Sequence, residues 1–322
     1  MLMLIALAPA LFWGATVIVT TKAGGKAIQG TLGMAYGSVL LGLGTLFFFV
    51  IPHAGLAYAF NPRIWLVGIF SGLFWAVGSV GQFESFKKIG VSIGNPISTA
   101  GQIITNALMA AIVLGEWTTL NMWTFGVISI AMVTVGAIFT AVTDKKDQSA
   151  TKIPADKFRQ GMYAIIISTV GFMFYFVFPN LLNKIGFISN AVHSTPNGSG
   201  LYYMTAIIAP QAVGQLIGAL LIITFFVKEP NLIFDKYTWR NVVTGIVWAI
   251  GNIFMFIAAG NPHIGQAVAT TLSQCGVIVG TFGGIFILSE KKTSRQMVYV
   301  TIGSILIVIG SILISNLSSL HW

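Results

Sequence analysis

Charge is the scarcest property of this chain: Asp, Glu, Lys and Arg together make up 8% of its 322 residues, against about a quarter in soluble domains. With 56% of the residues hydrophobic, a soluble domain of this length could not hide its apolar surface, so the solvent is lipid. A single cysteine, Cys275, excludes an internal disulfide, and its apolar neighbours suit packing rather than reactivity. Chemical signatures are missing too. There is no His-x-x-x-His or cysteine pair at ligand spacing, no Gly-x-x-x-x-Gly-Lys-Ser/Thr loop and no Gly-x-Ser-x-Gly. The sequence therefore predicts no metal, no cofactor and no ATP-driven engine. A membrane-embedded transferase would want paired acids or clustered histidines near an interface, so an enzyme is not expected. The formal charge of +9 sits in short gaps between apolar runs, where topology explains it better than nucleic acid does.

What is abundant is apolar sequence of membrane-crossing length. Ten runs of about 20 residues can be marked, at 2–21, 32–51, 64–83, 91–114, 122–142, 161–180, 201–227, 242–259, 264–288 and 298–317. The first lacks a basic leader and a small-residue cleavage site, and reads as a retained helix. Residues 144–160, dense in Lys and Asp, form the expected linker between units at 1–143 and 161–322. The gap at 181–200 carries Ser-Thr-Pro-Asn-Gly-Ser-Gly and is expected to be irregular and exposed. It also holds a glycosylation sequon at Asn197, a match common by chance.

The chain repeats itself. Phe74-Trp-Ala-Val-Gly78 returns as Val247-Trp-Ala-Ile-Gly251, and Leu114-Gly-Glu116 returns as Leu288-Ser-Glu290. Trp75 and Trp248 lie 173 apart, as do Gly78 and Gly251; Glu116 and Glu290 lie 174 apart, as do Gly136 and Gly310. A spacing held over four anchors indicates one unit of about 150 residues used twice. Five runs per unit is odd, so the second unit enters the membrane in the opposite sense. The expected fold is an all-α polytopic membrane protein of ten transmembrane helices in two inverted five-helix repeats. With the N-terminus outside, every one of the 17 Lys and Arg except Arg63 and Lys184 falls in an internal loop, so both termini are expected to be external.

Polar residues inside the runs are few, and a lone one in hydrocarbon is costly. In the fourth run Asn95, Thr99, Gln102 and Asn106 fall on one helical stripe, with Pro96 and Gly101 able to loosen the backbone. The ninth run repeats this with Gln266, Thr270, Ser273 and Gln274. Such stripes serve either as hydrogen-bonding glue between helices or as the lining of a substrate path. Trp13, Trp75 and Trp248 sit near the middle of their runs, away from the interface that tryptophan favours, and each indole N–H needs a partner. An aromatic face beside amides and hydroxyls suits a sugar. Trp65, Trp117, Trp123 and Trp239 lie at run ends and read as belt residues. Glu84 is the candidate for ion coupling, but Lys87 and Lys88 three and four residues on favour a structural ion pair. Glu116 and Glu290 close equivalent helices, where an acid opposes the dipole and needs a compensating contact. His263 reads as an exposed turn residue. No acid stands at the centre of any run, which speaks against export of drug cations and suits a neutral, hydroxylated guest.

Ile69-Phe-Ser-Gly-Leu-Phe-Trp-Ala-Val-Gly78, Ile89-Gly-Val-Ser92, Pro96-Ile-Ser-Thr99, Gly115-Glu-Trp117, Gly283-Gly-Ile-Phe-Ile-Leu-Ser-Glu-Lys-Lys292 and the opening Pro9-Ala-Leu-Phe-Trp-Gly14 resemble the bacterial glucose/ribose uptake permease family of the drug/metabolite transporter superfamily. The resemblance runs along nearly the whole chain. It implies import of a monosaccharide, glucose or ribose, across a bacterial plasma membrane by alternating access, with a proton as coupling ion. The family often carries a basic residue at the position of Glu84, which puts that carboxylate's coupling role in doubt. The superfamily also includes exporters of amphipathic metabolites and drugs, the rival expectation. On this reading Trp13, Trp75, Asn95, Thr99, Gln102, Asn106, Trp248, Gln266 and Thr270 hold the sugar.

Overall fold

A computed structural model describes residues 2–113, 115, 117–142, 153–194, 200–259, 272–273 and 275–317, and all regular structure among them is helical. Helix α1 spans Leu2–Ala23 and α2 spans Ala27–Thr45, continuing through the π-helical Leu46–Val50 into Ile51–Ala54. Helices α3 (Pro62–Ile89), α4 (Val91–Leu108, then π-helical Met109–Val113) and α5 (Leu120–Thr140) follow. Beyond them come α6 (Ala155–Lys184), α7 (Ile208–Leu221, led by Leu201–Ala206 and continued by π-helical Ile222–Val227) and α8 (Val242–Ala259). Last are α9 (Gly276–Phe286) and α10 (Ser294–Ser315). Seven described segments are long and apolar enough to cross a bilayer, and Gly276–Phe286 is a shorter apolar helix. The chain is a multi-pass membrane protein.

The helices outrun their apolar stretches. Helix α6 begins at Ala155, so Asp156, Lys157 and Arg159, read from sequence as linker, are helical. Its 30 residues span about 45 Å, against about 30 Å of hydrocarbon. The 181–200 gap also differs from expectation. Helix α6 runs to Lys184, Asn190–His193 is a short helix, and Ile188 is buried among Val50, Ile64 and Tyr203. Tyr58 donates to the Val192 carbonyl at 2.7 Å and Arg63 to that of Phe187 at 3.1 Å. The connection is thus tied down over part of its length. Residues 195–199, with Asn197, lie outside the described residues.

Packing follows a regular scheme. Helix α3 lies against α6 and α7, α8 lies against α1 and α2, and α5 pairs with α10. Small residues make the crossings. A Cβ added at Gly72 would sit 2.1 Å from the Gln211 carbonyl oxygen and one at Gly214 would sit 2.1 Å from that of Ile69. The α2–α8 crossing matches it: a Cβ at Gly245 would lie 2.1 Å from the Met34 carbonyl oxygen. Among the antiparallel pairs are three whose members stand five places apart in helix order. In α5 and α10, Gly136 meets Gly303 and Ile307 while Gly310 meets Ser129 and Val133. In α2 and α7, Gly42 meets Ala209 while Leu32 packs with Ala219 and Ile223. In α4 and α9, Asn95 meets Gly280 and Ser92 meets Gly284.

One end of the bundle carries the Lys-rich turns and is cross-linked through polar groups. There Lys26 pairs with Glu229 at 2.5 Å, Gln29 donates to Asp235 at 2.6 Å, and Thr20 donates to Asn241 at 2.9 Å. Lys87 donates to the Gly25 carbonyl.

Candidate functional site

At mid-depth α3, α6, α7 and α8 bring aromatic rings and amides together. Trp75 stands in the middle of α3 and is 1% exposed. Its ring centroid lies 5.2 Å from that of Trp248 on α8, and Trp248 lies 6.4 Å from Tyr175 on α6. The three rings are tilted against each other and surrounded by Val17, Met34, Ala76 and Phe172. Polar groups continue the cluster. Tyr175 donates to Gln211 Oε1 at 3.5 Å and its hydroxyl is within reach of the Asn252 side chain. Gln211 donates to Ser71 Oγ at 3.0 Å, and Ser71 donates to the Tyr175 carbonyl at 2.8 Å. One turn along α7, Gln215 is buried with its Oε1 unpartnered among the described residues.

The indole N–H of Trp75 is also buried without an acceptor among the described residues, and so is that of Trp13 on α1. Trp13 lies directly on Gly251 of α8, where an added Cβ would come within 2.7 Å of Nε1. Gly78, 173 positions earlier, takes Phe172 in the same way, its Cβ position lying 3.0 Å from that ring. An orphaned donor in a dry interior costs about 1–3 kcal/mol, so these N–H groups are poised for an external acceptor. Among the described residues, these rings and amides carry no charge. Rings, neutral amides and hydroxyls with spare hydrogen-bonding capacity suit an uncharged guest that offers both C–H faces and hydroxyls.

A sequence model of the sugar transport protein family matches residues 4–317. The chain belongs to that family. It is 41% identical to a putative sugar uptake protein of Lactiplantibacillus plantarum, over 97% of this chain and 98% of the relative. It is 37% identical to the glucose uptake protein GlcU of Bacillus subtilis, over 96% of each chain. A solved crystal structure, 16% identical, covers 98% of this chain and 96% of its own with a TM-score of 0.56, and shares the fold.

In this member of the sugar transport family the structure joins Trp75 to Trp248 and sets Trp13 beside α8. The α4 stripe goes elsewhere. Asn95 is buried on Gly280 of α9 and its Nδ2 has no partner among the described residues. Gln102 donates to Ser98 Oγ at 3.2 Å, a hydroxyl that also accepts from Gln82 of α3 at 3.1 Å. Asn106 is half-buried with its Oδ1 unpartnered, and Thr99 is half-buried on the same helix. Gln266, Thr270, Gln274, Glu116 and His263 lie outside the described residues. Glu84 pairs with Lys88 at 3.4 Å on the helix surface, as its spacing predicts, while Lys87 turns to Gly25. Among the belt readings, Trp117 is corrected. It is buried at 8% exposure under Gly126, Ala111 and Leu317, with Trp123 donating to its carbonyl at 3.0 Å.

Tyr175, Gln211, Gln215 and Asn252 belong to the cluster and escape the stripe-based reading. A signal was present in the sequence: Gln211 and Gln215 are i and i+4 amides inside an apolar run, and Asn252 lies one turn after Trp248.

Proposed function

We propose that this protein is a secondary transporter that imports a neutral monosaccharide, glucose or ribose, into a bacterial cell across the plasma membrane, by alternating access and with proton symport. The observation that carries the reading is the uncharged Trp75–Trp248–Tyr175 cluster with its amide chain and its unpaired indole N–H. Family membership and relatives named for sugar and glucose uptake point the same way. Trp13, Trp75, Tyr175, Trp248 and Asn252 hold the ring. Asn95, Thr99, Gln102 and Asn106, with Gln266 and Thr270 of the ninth run, line the rest of the path.

Ten spans in two inverted repeats are supported by the packing scheme. Exchanging each helix for the one five places away turns α3–α6 into α8–α1, and α3–α7 into α8–α2, both of which are packed pairs. Equivalent helices α2 and α7, α4 and α9, and α5 and α10 cross antiparallel, as opposite insertion requires. The Lys-rich end is the cytoplasmic one, and both termini face outward. Residues 1–143 and 161–322 carry the repeats, with 144–160 between them and Ala155–Gln160 already part of α6. Glu84, tied to Lys88, serves structure better than proton transfer.

The test is a sugar panel on purified protein in proteoliposomes, with and without a pH gradient. Saturable uptake of labelled glucose or ribose is expected, accumulating under an acid-outside gradient and insensitive to sugar phosphates. A protein that moved none of the neutral sugars but extruded an amphipathic metabolite or drug would be an exporter instead.

A further inference from the structure

At the Lys-rich end a carboxylate from the second half of the chain grips the first turn of a helix from the first half. Glu290 Oε1 accepts from the Val91 N–H at 2.6 Å and Oε2 from the Ser92 N–H at 2.8 Å. Helix α4 begins with these residues, and the first N–H groups of a helix have no intrahelical acceptor. Both oxygens are engaged, the bonds are charge-assisted, and the helix dipole adds to them.

The backbone on each side is shaped for the contact. Gly90, the residue before α4, has φ +81, and a Cβ there would sit 3.2 Å from both carboxylate oxygens. Ser289 holds φ +57, a left-handed conformation that costs energy in a residue with a side chain. With the Glu290 N–H donating to the Gly284 carbonyl at 3.2 Å, that turn brings the carboxylate back toward α4. Lys292, held below the ordinary lysine value by burial and raised in opposition by the Glu290 charge, is the cation beside it.

We propose that Glu290 is a positioning residue of the transport cycle, a clasp that closes the Lys-rich end of the path by holding α4 on the end of α9. The inference rests on the alternating-access reading above. Helices α4 and α9 come from different halves, and toward this end Val91 and Ser92 lie on Gly284. Parting them to open that end must break both bonds together. Once broken, the carboxylate and the two N–H groups are free to be solvated, so the clasp is reversible. A neutral amide cannot replace it: glutamine offers one acceptor, and its NH2 would face the second N–H.

The test uses the purified full chain with Cys275→Ser and a reporter thiol at Val91→Cys, a site 1% exposed against Gly284. Its reaction with a maleimide is timed without sugar. Glu290→Gln is expected to raise the rate about tenfold, the loss of about one charged hydrogen bond. Glu290→Asp, which keeps the charge but shortens the reach, gives an intermediate rate and decides alone if Glu290→Gln does not fold. A control thiol at Ser129→Cys, buried between α5 and α10, keeps its rate in each variant. An unchanged rate at position 91, or equal rises at 91 and 129, overturns the clasp. Because the assay contains no sugar, its outcome is separate from that of the uptake panel. Glucose or ribose added afterwards changes the position 91 rate only if the sugar reading also holds.

Discussion

Trp75 and Trp13 have their indole N–H groups sealed from water and unmatched among the described residues, and that mismatch is where sequence reasoning is strongest at the residue scale. A tryptophan at mid-run is legible because hydrocarbon makes an unpaired donor expensive. Asn252, Tyr175 and Gln211 are not legible by the same route. Gln211 has only Gln215 at i+4 to mark it, Tyr175 and Asn252 stand alone in their turns, and convergence from α8, α6 and α7 is what joins the three. If the cluster holds sugar, Asn252→Leu is expected to weaken apparent affinity about five- to hundred-fold, the loss of ~1–3 kcal/mol from one hydrogen bond. Competition binding on purified protein measures it, and an unchanged affinity removes Asn252 from the site. Gln102→Leu tests the α4 stripe in the same assay, and weaker binding is expected there too.

His193 gives a second expectation at this scale. Burial pushes its imidazole below the ordinary histidine value, and its ring lies tilted against that of Tyr203 with centroids 4.9 Å apart. The unfolded chain then binds the proton more readily than the folded one. Stability from this site is present above the ordinary value of about 6.5 and drains away as the pH falls below it. His193→Phe keeps an aromatic ring against Tyr203 and removes the titration. Thermal midpoints taken from about pH 7.5 to 5.5 are expected to fall less steeply in that variant than in the parent.

At the scale of elements, the apolar runs mark the helices and misplace their ends for one reason. Hydropathy reports the slab of hydrocarbon, whereas a helix continues into headgroup and water wherever its side chains allow. Ala155–Gln160 and Ala27–Thr31 are such extensions. Helix–helix approach is less legible, since a glycine in a run does not announce its partner. Gly72, like Gly214 and Gly245, is a sharp case, because its Cβ would collide with the Gln211 backbone rather than with a movable side chain. Gly72→Ala is expected to cost about 1–3 kcal/mol, typical of overpacking. It should lower the thermal midpoint clearly, while Gly44→Ala, with open space around it, leaves the midpoint within error or raises it. Equal effects at the two positions would mean the α3–α7 crossing can relax.

At the scale of the molecule the sequence speaks through its repeats. Spacings of 173 and 174 between matching anchors and an odd number of runs carry the proposal of opposed halves, which the antiparallel crossings support. What the repeat does not reveal is how one half grips the other. The Lys26–Glu229, Gln29–Asp235 and Glu290–α4 contacts join residues about 200 positions apart and leave no periodic trace. The proposed topology is directly testable: a reporter fused after Trp322 is expected on the outer face of the membrane. A cytoplasmic signal from that fusion would mean the basic-residue count misled.

The neutrality of the mid-depth cluster also has an electrical consequence. Membrane voltage does work on charge, about 2.3 kcal/mol per elementary charge per 100 mV, and none on an uncharged sugar crossing between uncharged side chains. Under the proposed symport, any current recorded from this protein in a supported bilayer would belong to the co-transported ion alone. Charge moved per sugar taken up would count those ions directly, and a purely passive carrier would be electrically silent.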